Sequence, residues 1–319
     1  MKKEISVLML LLFLSAACDK DDSDDDSDPD SFLRHDDAEL INIPLEGSLQ
    51  NPAFSPDGKA IVFTRFRNGY NEEPADLFIY NFENSEMTTL VSDGSSNVNL
   101  PGSSWNSSTG KIVFSSSRDP HDEIYQISFD GSNGDETRIT TRSDYMAYEP
   151  TFSPDGEWVV FESHPLDVED EGVIMKHRVD NTVAYQALTK ASDDCRQPNW
   201  SPAGDYILYQ KYEGGQWDIW IMETDGSGKK KVTSGDGNKT DASFTSDGQY
   251  IIYSCDADVE FANIYEISIN GGSADQITDY NGYDGAPSIS PDGKKIVFES
   301  FGGDPDDSDG TKLYILNDE

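Results

Sequence analysis

The sequence contains one apolar run of any length, and it is short: Ile5 to Leu14, ISVLMLLLFL. Ten residues are too few to span a bilayer as a helix. Basic residues are also scarce, 23 Lys and Arg against 61 Asp and Glu, for a formal charge of −38. A phosphate backbone has to be neutralised by Lys and Arg, so the balance excludes nucleic acid as a partner. It equally disfavours a broad contact with anionic lipid head groups. Three Cys and four His, with no H-E-x-x-H and no Cys/His cluster, give no zinc site. The G-x-S-x-G elbow of a nucleophilic serine is missing. Asp225-Gly-Ser-Gly-Lys229 lacks the spacing of a phosphate loop and reads as a β-turn.

The short apolar run has a use. Met1-Lys2-Lys3 precedes it and Ser15-Ala16-Ala17-Cys18 follows, the layout of a secretory signal covering residues 1–17. Small residues directly before a cysteine resemble a bacterial lipobox, in which Cys18 is acylated and becomes the mature N-terminus. Asp19 to Asp30 then holds eight Asp and one Lys with nothing apolar to bury, so residues 18–37 are expected to be a self-repelling tether behind the lipidated cysteine. Cys-Asp-Lys-Asp-Asp resembles the surface-export signal of some Gram-negative lipoproteins. That resemblance implies an outer-membrane anchor with the domain facing the cell exterior, and otherwise the periplasm.

Residues 38–319 repeat themselves. NPAFSPDGKAIVFT (51–64) recurs as LPGSSWNSSTGKIVFSS, EPTFSPDGEWVVFES, QPNWSPAGDYILYQK, DASFTSDGQYIIYSC and PSISPDGKKIVFES. Ser-Pro-Asp-Gly is turn chemistry: Pro presets φ, Ser and Asp bond nearby amides, and Gly takes a positive φ. The turn glycines Gly58, Gly110, Gly156, Gly204, Gly248 and Gly293 lie 44 to 52 residues apart. Each copy leads to a third strand-like segment, and five go on to a fourth. Four short strands in about 45 residues is the size of a propeller blade. The sixth unit lacks its fourth strand, while AELINIPLEG (38–47) stands where a fourth strand would stand before the first unit. We therefore expect an all-β fold, a six-bladed β-propeller of four-stranded blades, closed by an N-terminal strand that completes the last blade and removes two unpaired edges.

These units resemble the propeller repeats of TolB-type proteins, across nearly all of 38–319. The resemblance implies a rigid ring used in the cell envelope as a binding scaffold. The repeats are also similar to those of propeller lyases that act on pectic fragments, though this chain is poor in the His those enzymes use.

In such a ring the SPDG turns share one rim, and ligands bind at the other. That rim collects the residues leading into each first strand and those leaving each second strand. Arg65, Arg118, Glu149, His164, Gln197, Lys211 and Asp241 are the candidates for a polar ligand-binding funnel. Tyr70, Tyr145, Tyr148, Tyr212, Trp217 and Tyr283 are loop aromatics able to stack on a sugar or pack locally. Cys195 and Cys255 fall in adjacent blades, open to a disulfide in an exported protein or to two separate half-buried thiols. Asp304 to Gly310 (DPDDSDG) has the acidity of a calcium loop but is one residue out of phase, leaving Ca²⁺ a weak alternative to a solvated loop. No metal or other cofactor is otherwise expected. The expectation is a monomeric, membrane-anchored lipoprotein whose non-catalytic propeller binds a protein or glycan. The alternative is a carbohydrate-active lyase or hydrolase with its site in the funnel.

Overall fold

The computed structural model describes residues 38–99, 105–129, 136–166, 168, 171–257, 261–301 and 310–317. The signal segment, Cys18, the acidic tether, Leu100 and the Asp304–Asp309 part of the acidic loop lie outside the described residues.

The sequence repeat becomes six antiparallel sheets. Blade one runs outward from the channel as Ser48–Phe54, Ala60–Phe66, Ala75–Asn81 and Met87–Val91. In blade two the innermost strand is seen as two pieces, Val98–Asn99 and Trp105–Asn106, both paired with Lys111–Ser116. Blades three to five begin with Tyr145–Phe152, Cys195–Trp200 and Lys239–Phe244. Blade six holds Tyr283–Ile289, Lys295–Phe301 and Lys312–Asn317, and its outermost strand is Ala38–Leu40. Ala38 pairs with Leu316 and Leu40 with Tyr314, antiparallel, so the N-terminal strand closes the ring.

The second strand of every blade is a continuous apolar run rather than an alternating one. Ile61, Val62 and Phe63, like Val159, Val160 and Phe161, have no measurable exposure. Both faces of each sheet are covered by neighbouring blades, which removes the usual polar-out alternation of an antiparallel strand. An aromatic on the second strand meets one on the third in the same register: Phe63 on Phe78, Phe114 on Tyr125, Tyr253 on Tyr265 and Phe298 on Tyr314, with centroids 5.8 to 6.1 Å apart. Complete burial of such a ring is worth roughly 2–3 kcal/mol.

The outermost strands of blades two to five are two residues long, too short to hold by ladder bonds alone. A threonine just beyond each one supplies the rest. The Oγ1 atoms of Thr140, Thr189, Thr233 and Thr278 accept the amides of Ile124, Ile174, Ile219 and Ile264 at 2.8 to 3.0 Å. At the turns the SPDG chemistry is as expected: the Ser55 hydroxyl donates to Asp57 and accepts the Ala60 amide at 3.0 Å, and Gly58 has φ 71°.

Cys195 and Cys255 are not bonded to each other, so the structure takes the separate-thiol alternative over the disulfide. Cys195 packs with Val160, Ile174 and Leu188 in the layer between blades three and four. Cys255 packs with Leu208 and Ile219 in the layer between blades four and five. The sheet of blade four separates the two thiols.

Candidate functional site: the polar ring of the channel

Five of the six innermost strands carry a β-bulge at the same repeat position. Asn51, Glu149, Gln197, Asp241 and Ala286 occupy it with φ between 46° and 51°, the left-handed region that side chains seldom adopt. The register of all five strands breaks at this point. The bulge frees a backbone N–H from the ladder and swings a side chain toward the channel.

Those groups are bonded from blade to blade around the whole ring. Glu299 Oε2 of blade six accepts the Asn51 amide of blade one at 2.8 Å. Asn51 Nδ2 donates to Asn99 Oδ1 of blade two at 2.8 Å, and Asn99 Nδ2 to Glu149 Oε1 of blade three at 3.0 Å. Glu162 Oε2 of blade three accepts the Gln197 amide of blade four at 3.0 Å. Gln197 and Asp241 of blade five bond reciprocally, both at 3.0 Å. Ser254 Oγ then accepts the Ala286 amide of blade six at 3.2 Å. Every inter-blade junction is thus crossed at least once at this level, and the junction of blades four and five twice.

Glu162 and Glu299 sit at one repeat position on their second strands, opposite Tyr148 and Gly285. They belong to blades three and six, which face each other across the ring. With Glu149 and Asp241 they put four carboxyl groups around one channel. Burial pushes Glu299 up to about 8, and the Asp241 charge adds to the shift. Burial raises Glu149 well above its ordinary range too, with Glu162 and Asp241 contributing. Tyr70 and Tyr283 close the blade-six side. The Tyr283 hydroxyl donates to Glu299 Oε1 at 3.1 Å, and the Tyr70 hydroxyl lies 3.4 Å from both. Though nearly half of the Tyr70 side chain is exposed, its hydroxyl points inward, and burial beside Glu299 raises its pKa. His164 is buried against Glu162, its Nε2 bonded to Oε1.

Of the funnel candidates, Glu149, His164, Gln197 and Asp241 join this ring. Arg65, Arg118 and Lys211 do not: each is held near its own blade. Arg65 Nη1 lies 3.3 Å from Asp76, Arg118 pairs with Glu136, and Lys211 Nζ lies 3.4 Å from Glu213. The cause is local, because a carboxylate a strand or loop away offers a nearer partner than the channel. Glu162 and Glu299 were missed, although the shared Phe-Glu-Ser in VVFES and IVFES marks both. Among the described residues no group of three or more His, Cys, Asp or Glu has the geometry to hold a metal ion.

The repeat has counterparts among known proteins. A family profile described as the TolB β-propeller domain matches residues 39–216 and 179–304. The chain belongs to the TolB β-propeller family. The Protein TolB homolog of Chlorobium luteolum is 31% identical over 137 residues, 43% of this chain and 29% of that protein. The Tol-Pal system protein TolB of Francisella tularensis subsp. holarctica is 35% identical over 111 residues, 34% of this chain and 24% of the relative. The matched part covers well under two thirds of either relative. Among solved structures, the putative TolB from Agrobacterium tumefaciens superposes with TM-score 0.61 at 17% identity, over 85% of this chain and 90% of that one. An oligogalacturonate lyase in complex with manganese superposes with TM-score 0.57 at 13% identity, over 91% and 96%. At these identities the likeness is one of fold. A TolB-type propeller with a closed polar circuit and four channel carboxyl groups is what the chemistry has to be read from.

Proposed function

We propose that this protein is an exported lipoprotein, anchored in the outer membrane through acylated Cys18, whose TolB-type propeller serves as a protein-interaction scaffold. The channel mouth receives a basic segment of the partner. The observation that carries this reading is the convergence of Glu149, Glu162, Asp241 and Glu299 on one channel beside Tyr70 and Tyr283, while Arg65, Arg118 and Lys211 are neutralised outside it. Carboxylates together with an aromatic wall suit a Lys or Arg side chain, which gains charge pairing and ring contact at once. Because Glu299 and Glu149 have raised pKa values, an arriving cation ionises them and displaces protons. Binding then tightens as pH rises toward 8. The TolB and Tol-Pal names of the relatives favour an assembly role over turnover of a small molecule.

The test is a cross-linked pull-down from cell envelopes with the wild type and a Glu299→Gln/Asp241→Asn variant. The wild type should retain a partner that the variant loses and that salt releases. Recovery of the same partner by both, or turnover of a glycan by the wild type, would overturn the reading. Separately, Cys18→Ser should release the protein from the membrane fraction.

A further inference from the structure

Arg142 stands apart from the other arginines among the described residues. Arg65, Arg67, Arg118, Arg138, Arg178 and Arg196 all reach a carboxylate. Among the described residues Arg142 reaches none within salt-bridge distance, in a chain of charge −38. Its guanidinium lies 3.9 Å from the Tyr145 ring centre and 5.3 Å from that of Tyr185, and Nη1 donates to Ser163 Oγ at 2.5 Å. The nearby carboxylates are committed elsewhere. Asp119 takes Tyr125 and Arg138, while Glu123 takes Arg138, Thr140 and the backbone amide of Arg142.

The Nε and Nη2 groups of Arg142 therefore have no hydrogen-bond acceptor among the described residues. The side chain lines an open cleft of about 720 Å³ at the rim away from the SPDG turns, between blades two and three. His121, Arg138, Thr141 and Ser143 line the same cleft, so its wall is rich in donors. Leu166 forms its exposed lip.

We propose that this cleft binds a carboxylate, gripped by the free edge of Arg142. Ring contacts fix the guanidinium plane, so the ligand is met edge-on by two parallel N–H groups, the fork that matches two carboxylate oxygens. A doubly charged anion such as phosphate presents similar oxygens, but the strongly negative protein repels it more than a monovalent group. The site lies outside the acidic channel ring and does not depend on the partner reading given above.

The experiment is an NMR titration of the full-length chain with acetate, N-acetyl-alanine, N-acetyl-alanine amide and inorganic phosphate, following the Arg142 Nε–H resonance. Saturable binding of N-acetyl-alanine and none of its amide is expected, with phosphate weaker. Acetate binding equally well identifies a free small carboxylate as sufficient, and binding by N-acetyl-alanine alone identifies a chain end. Arg142→Lys, which keeps the charge and loses the fork, should weaken binding about ten-fold or more. Leu166→Glu alters only the exposed lip and should abolish binding with an unchanged Tm, so it still tests the site if Arg142→Lys is poorly folded. No saturable binding of either carboxylate, phosphate binding as tightly, or unchanged affinity in Leu166→Glu would each overturn the proposal.

Discussion

Glu299 accepts the backbone N–H of Asn51 at 2.8 Å, joining residues 248 positions apart at the junction where blade six meets blade one. The bond explains why a carboxyl group is kept in a buried channel at all. The bulge at Asn51 leaves an amide that needs an acceptor, and an unpaired buried amide costs about 1–3 kcal/mol. Glu162 does the same for Gln197 on the opposite side of the ring.

The raised pKa of Glu299 makes stability depend on pH with a definite sign. An acid whose folded pKa is about 8 against an ordinary 4.5 contributes its full stability below 4.5 and loses it as pH rises through 8. Glu299→Gln stays neutral and still offers Asn51 an oxygen. The Tm of the wild type should therefore fall relative to the variant between pH 4.5 and 8, by an amount on the order of a few kcal/mol in stability. Parallel Tm curves for the two proteins would contradict this.

His177 should act in the opposite direction. It is fully buried on the third strand of blade three, stacked on Tyr185 with centroids 4.0 Å apart, and burial lowers its pKa below 6.5. A base with a lowered folded pKa contributes stability above 6.5 that is lost as pH falls through the folded value. At the same repeat position blade four has Met222. His177→Met should exceed the wild type in Tm by a margin that grows below pH 6.5, measured by thermal melts at pH 5.5 and 7.5. An equal margin at both would refute the role of protonation.

Ring closure gives a third expectation. Ile41 and Ile43 are buried with Leu49, Phe63 and Leu313, and Thr311 Oγ1 donates to the Leu49 carbonyl at 2.7 Å. Ile43→Ala should cost about 2–4 kcal/mol and Thr311→Val about 1–3 kcal/mol, both read from denaturant unfolding. If the stability of both variants matched the wild type, the N-terminal strand would not be holding the ring.

The two blade thiols should behave as inert core groups. Burial pushes Cys195 up to about 12, and Cys255 is 5% exposed. Ellman's reagent should find neither thiol until the protein is denatured, and dithiothreitol should leave the Tm unchanged. A Tm lowered by reductant would reveal a disulfide after all.

The architecture was legible because it is written six times. A turn motif that recurs every 44 to 52 residues averages out local ambiguity, and the displaced 38–47 segment identified the closing strand. The site was legible only in part. Glu149, Gln197 and Asp241 share a fixed distance from the turn, so the repeat alone puts them, with Asn51, at one level of the ring. Arg65, Arg118 and Lys211 were misplaced because a long basic side chain follows its nearest carboxylate rather than the strand that bears it. The threonine just beyond the fourth strand of blades two to five and the Glu in Phe-Glu-Ser were both in plain view. Their meaning needed the register that joins neighbouring strands.

Closing the ring with the strand nearest the N-terminus has a mechanical side. In the proposed arrangement, with Cys18 acylated and a partner held in the channel, tension would enter the propeller through Ala38–Leu40, three residues paired with Leu316, Ile315 and Tyr314. That short ladder is the first thing a pulling force meets. A three-residue ladder is shorter than the second-to-third-strand pairings inside the blades, so under load the last blade is expected to open at its outer edge first, the way a clasp yields before the chain it closes.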